Sequence, residues 1–156
     1  YTVDDLENTL HAMQDKIDML KKSASSKQAR IKEVDGLLRM VDYYKSGKPA
    51  ADKLKSIRFE KSRQKYKAGH DNELRTFYMA ERKLKPYFKD GKMPITAWRR
   101  ERKRLEQEYK DIQTELSPLY ADVKKLWAIH YNIYEVQHEQ ERQNTATRQK
   151  KQEMER

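Results

Sequence analysis

Apolar residues recur along this chain in two equally long stripes. One runs Leu6, Leu10, Met13, Ile17, Leu20, Ala24, Lys27, Ile31, Val34, Leu38, Val41. The other runs Trp98, Arg102, Leu105, Tyr109, Ile112, Leu116, Leu119, Val123, Leu126, His130, Ile133. Both step by alternating fours and threes over 36 residues, the 3.5-residue repeat of a coiled-coil seam. A helix of that length extends about 54 Å at 1.5 Å per residue. Two equal stripes separated by a long connector predict that each is the other's partner. The expected fold is all-α: a long antiparallel coiled-coil hairpin with a small helical connector subdomain at one end. The same stripes also allow an intermolecular coiled-coil dimer, so both a monomeric hairpin and a dimer are open.

Local signals set the expected boundaries. Thr2 with Asp5 three residues later makes a capping box, and Asp4 and Asp5 place negative charge at a helix N-terminus. The first coiled-coil helix is assigned to 1–45, continuous across the weak helix formers Ser23 to Ser26 because the stripe keeps its register there. Ser46-Gly47-Lys48-Pro49 reads as its stop. A basic helical connector follows over 46–93, with one helix expected over 50–68 and an amphipathic one after Gly69 that Pro86 ends near Lys85. Asp90-Gly91 marks a turn. Pro94 opens the second coiled-coil helix, 94–139, in which Pro118 predicts a kink near Thr114 to Ser117 or a break. Residues 140–156, nearly devoid of apolar side chains, are expected to be frayed or disordered.

Composition narrows the class. Only 36% of residues are apolar and 38% are charged, which suits helices sharing a narrow seam rather than a multilayer core. No run of about 18 apolar residues exists, so no membrane insertion is expected, and Tyr1 to Leu10 lacks the layout of a secretory signal. The absence of cysteine removes disulfides and thiolate metal sites and fits a cytoplasmic location. The start at Tyr1, without methionine, is what a piece of a longer protein or a processed terminus would show.

Charge is the strongest functional clue. Lys45 to Lys110 holds 21 basic and 9 acidic residues, an excess of +12, while the remainder holds 14 and 16 and carries −2. In an antiparallel hairpin Val41 and Trp98 meet, so this excess is expected to gather at one end as a cationic tip. Lys53, Lys55, Arg58, Lys61, Arg63, Lys65 and Lys67, with Arg99, Arg100, Lys103 and Arg104, are the candidate phosphate contacts. Cations neutralise phosphates and release counterions, and aromatic faces stack on unpaired bases. The interleaved aromatics also have a plainer reading as a small core for the connector, because Phe77, Tyr78 and Leu84 share a helical face. Lys27 and Arg102 interrupt the stripes. Either they fix register, or their stems lie along the seam with the charge in water.

Catalytic chemistry is missing. His11, His70, His130 and His138 form no metal-ligand spacing, and His130 falls on a seam position where packing or local bonding is expected. No phosphate loop, nucleophile elbow or helical zinc motif appears. The chain is therefore read as a non-enzyme without cofactor or metal.

At 58–135 the order of elements resembles a known family. Arg63-Gln64-Lys65-Tyr66 and His70, then Glu73-Leu74 with Ala80 and Leu84, then Lys92-Met93-Pro94 and Ala97-Trp98-Arg99, then Glu101, Leu105, Tyr109 and Leu119 resemble the C-terminal helical region of bacterial relaxases. These are the mobilisation nickases of conjugative plasmids and integrative conjugative elements. The resemblance implies a parent protein that cuts and holds one DNA strand through a tyrosine and a metal-bound histidine cluster in an N-terminal domain. No residue of that constellation is present here. This chain would then be a non-catalytic accessory module in the bacterial cytoplasm, with DNA, relaxosome proteins or the coupling protein as partners. The alternative is a coiled-coil interaction rod whose basic tip meets an acidic protein.

Overall fold

A computed structural model describes residues 2–155; the outermost positions of the expected end segments, Tyr1 and Arg156, lie outside them. Four α-helices follow one another: α1 (Val3–Ser56), α2 (Glu60–Gly69), α3 (Asp71–Leu84) and α4 (Ile95–Met154). A 3₁₀ turn occupies Lys85–Tyr87. Apart from an isolated bridge between Lys89 and Lys92, no extended pairing occurs among the described residues. The fold is an all-α helical hairpin in which α1 packs against α4.

Two compact units share these helices, one made of the chain up to Ser25 and from Lys110 onward, the other of Ser26–Tyr109. In the first, Leu6, Leu10, Ile17 and Ala24 of α1 are buried, as are Ile112 and Leu116 of α4. Glu7 meets His130 at 3.2 Å and Lys16 meets Glu115 at 3.5 Å. Rising numbers on one helix face falling numbers on the other, so the pairing is antiparallel. In the second unit Val34 and Val41 pack with Leu84 and Trp98, flanked by Tyr44, Phe88 and Met93. Val41 and Trp98 thus meet as their seam positions require. Every stripe position from Leu6 to Val41 and from Trp98 to Ile133 is buried or half-buried. Seam spacing decides which face turns inward, since a 3.5-residue repeat keeps one line of side chains toward the partner.

Several local expectations hold. The Thr2 amide donates to Asp5 Oδ2 and the Asp5 amide donates to Thr2 Oγ1, each at 3.1 Å. α3 ends at Leu84, two residues before Pro86. Asp90 and Gly91 take φ of 53° and 73°, and the Lys89 and Lys92 amides each donate to the other's carbonyl at 2.9 Å. Glycine meets the left-handed requirement without strain, and aspartate tolerates it. Helix α1 stays unbroken through Ser23–Ser26.

Two expectations fail. The first helix does not stop at Ser46–Pro49 but continues to Ser56 with both Gly47 and Pro49 inside it. Beyond Val41 a new buried face of Gly47, Ala50, Ala51 and Leu54 receives Leu74 and Phe77 of α3. A Cβ on Gly47 would sit 2.6 Å from Phe77 Cβ and 3.1 Å from the Glu73 carbonyl oxygen, so this glycine serves close helix approach rather than a cap. Pro49 and Lys45 are exposed, which leaves the carbonyl that loses its donor to water. Consequently no single helix covers 50–68: residues 57–59 separate α1 from α2, and Phe59 is extended at φ −88° and ψ 130°. At two places one of the expected alternatives is set aside: helix α4 runs through Pro118, which is exposed, without a break, and it continues to Met154, so 140–154 is helical with every side chain exposed rather than disordered.

Candidate nucleic-acid interface

All the candidate phosphate contacts lie in the unit formed by Ser26–Tyr109, and all are exposed. Lys53 and Lys55 sit on the last turn of α1, Arg58 in the junction, and Lys61, Arg63, Lys65 and Lys67 on α2. α2 is ten residues long and buries none of them. One aromatic, Tyr66, packs on the core of Ala50, Ala51, Leu54, Leu74 and Phe77 and stacks on His70 at 4.2 Å. Lys53 Nζ lies 5.7 Å from the centre of the same ring. The helix is thus tethered at one side chain, with its basic residues left in solvent.

Arg99, Arg100, Lys103 and Arg104 occupy the first turns of α4. Arg104 is committed to Glu108 at 3.0 Å; the other ten candidates form no salt bridge among the described residues. Their neighbours on the inward side are tied differently. Arg30 donates through Nε and Nη2 to both oxygens of Glu101, at 2.6 and 3.1 Å, and Lys27 reaches Glu108 at 2.9 Å. Arg102 pairs with Asp35 on α1 and with Glu106 at 3.1 Å. The Arg30 hydrogen bonds hold the Glu101 carboxyl below the ordinary carboxylate range, and bonds from Lys27 and Arg104 do the same for Glu108. Lys27 and Arg102, the charged interruptions of the seam, are therefore cross-helix ion pairs in a half-exposed setting. Lys27 and Arg30 of α1 and Arg102 of α4 thus bridge the two helices, whereas Arg99, Arg100 and Lys103 form no salt bridge among the described residues.

Because α1 continues past Val41 to Ser56, Lys53 lies about 18 Å further along that helix than the Val41–Trp98 level, at 1.5 Å per residue. The interleaved aromatics follow the plainer reading: Phe77 and Trp98 are buried, and Tyr66, Tyr78 and Phe88 pack against the cores. Tyr44 joins those cores, stacking on Phe77 at 5.0 Å and tilting against Phe88 at 5.7 Å. Phe59, 78% exposed between Arg58 and Glu60, is an exception, and Tyr87 is also exposed although its ring meets Trp98 edge-on at 5.3 Å. Sequence reading missed the small-residue face Gly47, Ala50, Ala51, Leu54, which decides where α2 starts; its 3-4 spacing was the available signal.

No group of histidine and carboxylate side chains suited to a metal occurs among the described residues. His130 bonds Glu7 and stacks edge-on against Trp127 at 5.4 Å, a seam histidine with local partners. No helix is long and apolar enough to cross a membrane. No family model matches this chain, nor does any curated protein or solved structure.

Proposed function

We propose that this chain is a non-catalytic helical module that grips the phosphate backbone of nucleic acid, serving as an accessory part of a bacterial DNA-mobilisation relaxase. The observation that carries the binding reading is α2. A ten-residue helix with four cations, one acidic residue and nothing buried contributes little to the core, and its charges have no salt-bridge partner among the described residues. Free cations on a rigid element favour a polyanion through counterion release. The relaxase assignment rests on the sequence resemblance at 58–135, and with it stand the cytoplasmic location and the relaxosome or coupling-protein partners.

Binding of a labelled oligonucleotide measured across a salt series tests the reading. The logarithm of the association constant should fall linearly with the logarithm of salt, with a slope of about 0.9 per phosphate contacted on duplex DNA. Replacing Lys61, Arg63, Lys65 and Lys67 together by glutamate should reduce that slope and abolish binding at moderate salt, with helicity by circular dichroism unchanged. Wild-type protein that fails to bind at low salt ends the proposal. Equal affinity for an acidic polypeptide and for DNA would favour a protein partner instead.

A further inference from the structure

We propose that a second copy of this chain pairs antiparallel with α4 through its exposed aromatic stripe, making the protein a two-fold dimer. Leu119, Val123, Leu126, His130 and Ile133 face α1 as half-buried seam residues. The residue after each, roughly 100° round the helix, builds a second stripe: Tyr120, Lys124, Trp127, Tyr131 and Tyr134, continued by His138 and Glu141. Trp127, Tyr131 and Tyr134 are 54%, 62% and 51% exposed. This stripe repeats the four-three spacing of a coiled-coil seam, and an array of adjacent exposed aromatics marks an interaction surface. Beside it Glu7, Leu10, His11 and Gln14 of α1 line a groove with Trp127 and His130.

Charge selects the occupant. When two copies of α4 run antiparallel about an axis between Asn132 and Ile133, Tyr131 of each meets Tyr134 of the other and Trp127 meets His138. Lys124 then meets Glu141, at both ends of the aromatic patch. Parallel pairing would oppose Lys124 to Lys124 and Glu141 to Glu141. The arrangement also lays 137–145, helical but wholly exposed in one chain, along 120–128 of the second copy. Tyr120 already carries Lys21 at 5.4 Å from its ring centre, so the patch begins at Lys124.

Sedimentation equilibrium of the intact chain tests this. A dimer with a dissociation constant on the order of micromolar is expected, and Tyr131→Glu should weaken it by about a hundredfold with helicity retained, since Tyr131 lies in solvent in the single chain. Lys124→Glu alone and Glu141→Lys alone should each weaken it by about tenfold, and the two together should restore it. A strictly monomeric chain overturns the proposal, as does a dimer indifferent to Tyr131→Glu. Loss of the dimer in Tyr131→Glu without the charge-swap pattern overturns the antiparallel pairing. The oligonucleotide measurement is independent, because none of these positions is among the candidate phosphate contacts.

Discussion

Gly47 and Gly36 lie on the same helix and give opposite answers to the same question. A methyl group on Gly47 meets Phe77 Cβ at 2.6 Å and cannot be relieved by a flexible side-chain tip, whereas nothing lies within 4 Å of the corresponding position on Gly36. Gly47→Ala should therefore lower stability by about 1–2 kcal/mol despite its better helix propensity, and Gly36→Ala should raise it by about 0.5–1 kcal/mol. Urea unfolding curves of the two variants check the contrast. The Arg30–Glu101 pair gives a second test at this scale. Its carboxyl is held low by the Arg30 hydrogen bonds, so its stabilising effect is fully present above the unfolded carboxyl pKa of about 4.3. That effect is lost as pH falls through the lower native value. Glu101→Gln should flatten the decline of the urea midpoint between neutral pH and the acid range, with Glu108→Gln acting in the same sense.

Along each long helix, order has a different cause at each stage. Over 98–116 of α4 the buried Trp98, Leu105, Ile112 and Leu116 anchor the backbone to α1. Beyond Val136 the contacts among the described residues are local, such as Arg142 to Glu139 at 3.2 Å and Thr147 Oγ1 to the Gln143 carbonyl at 2.9 Å. Helix without packing is marginal in water. Amide exchange measured on the single chain should thus be slow over 98–116 and near the unprotected rate over 140–154. Slow exchange that appears in 137–145 only at high concentration would be the element-level signature of the α4 pairing. The end of α1 shows the converse case. Ser46-Gly47-Lys48-Pro49 has the composition of a stop, yet the inward face of Gly47, Ala50, Ala51 and Leu54 gains α3, and Pro49 spoils only a carbonyl on the exposed side.

At the level of the whole molecule the decisive quantity is where charge is left unspent. Within the formal charge of +10 are cations that bridge α1 and α4, such as Arg30 and Arg102, and others that form no salt bridge among the described residues, such as the four on α2. Glutamate at the four cationic positions of α2 should leave the urea midpoint nearly unchanged, because all four side chains are exposed, while removing oligonucleotide binding; a large loss of stability would show that these side chains are structural. The all-α hairpin, the inward faces, the Val41–Trp98 meeting, the Thr2–Asp5 cap and the Asp90-Gly91 turn were all legible in the amino-acid order. Each of these follows from spacing or from backbone preferences that act within a few residues. The continuation of α1 to Ser56, and the choice of which cations enter cross-helix pairs, came only from the packed arrangement of the helices. Those outcomes depend on what an element meets across space: packing against Leu74 and Phe77 outweighs a local stop signal, and a carboxylate on the facing helix determines whether an arginine is free.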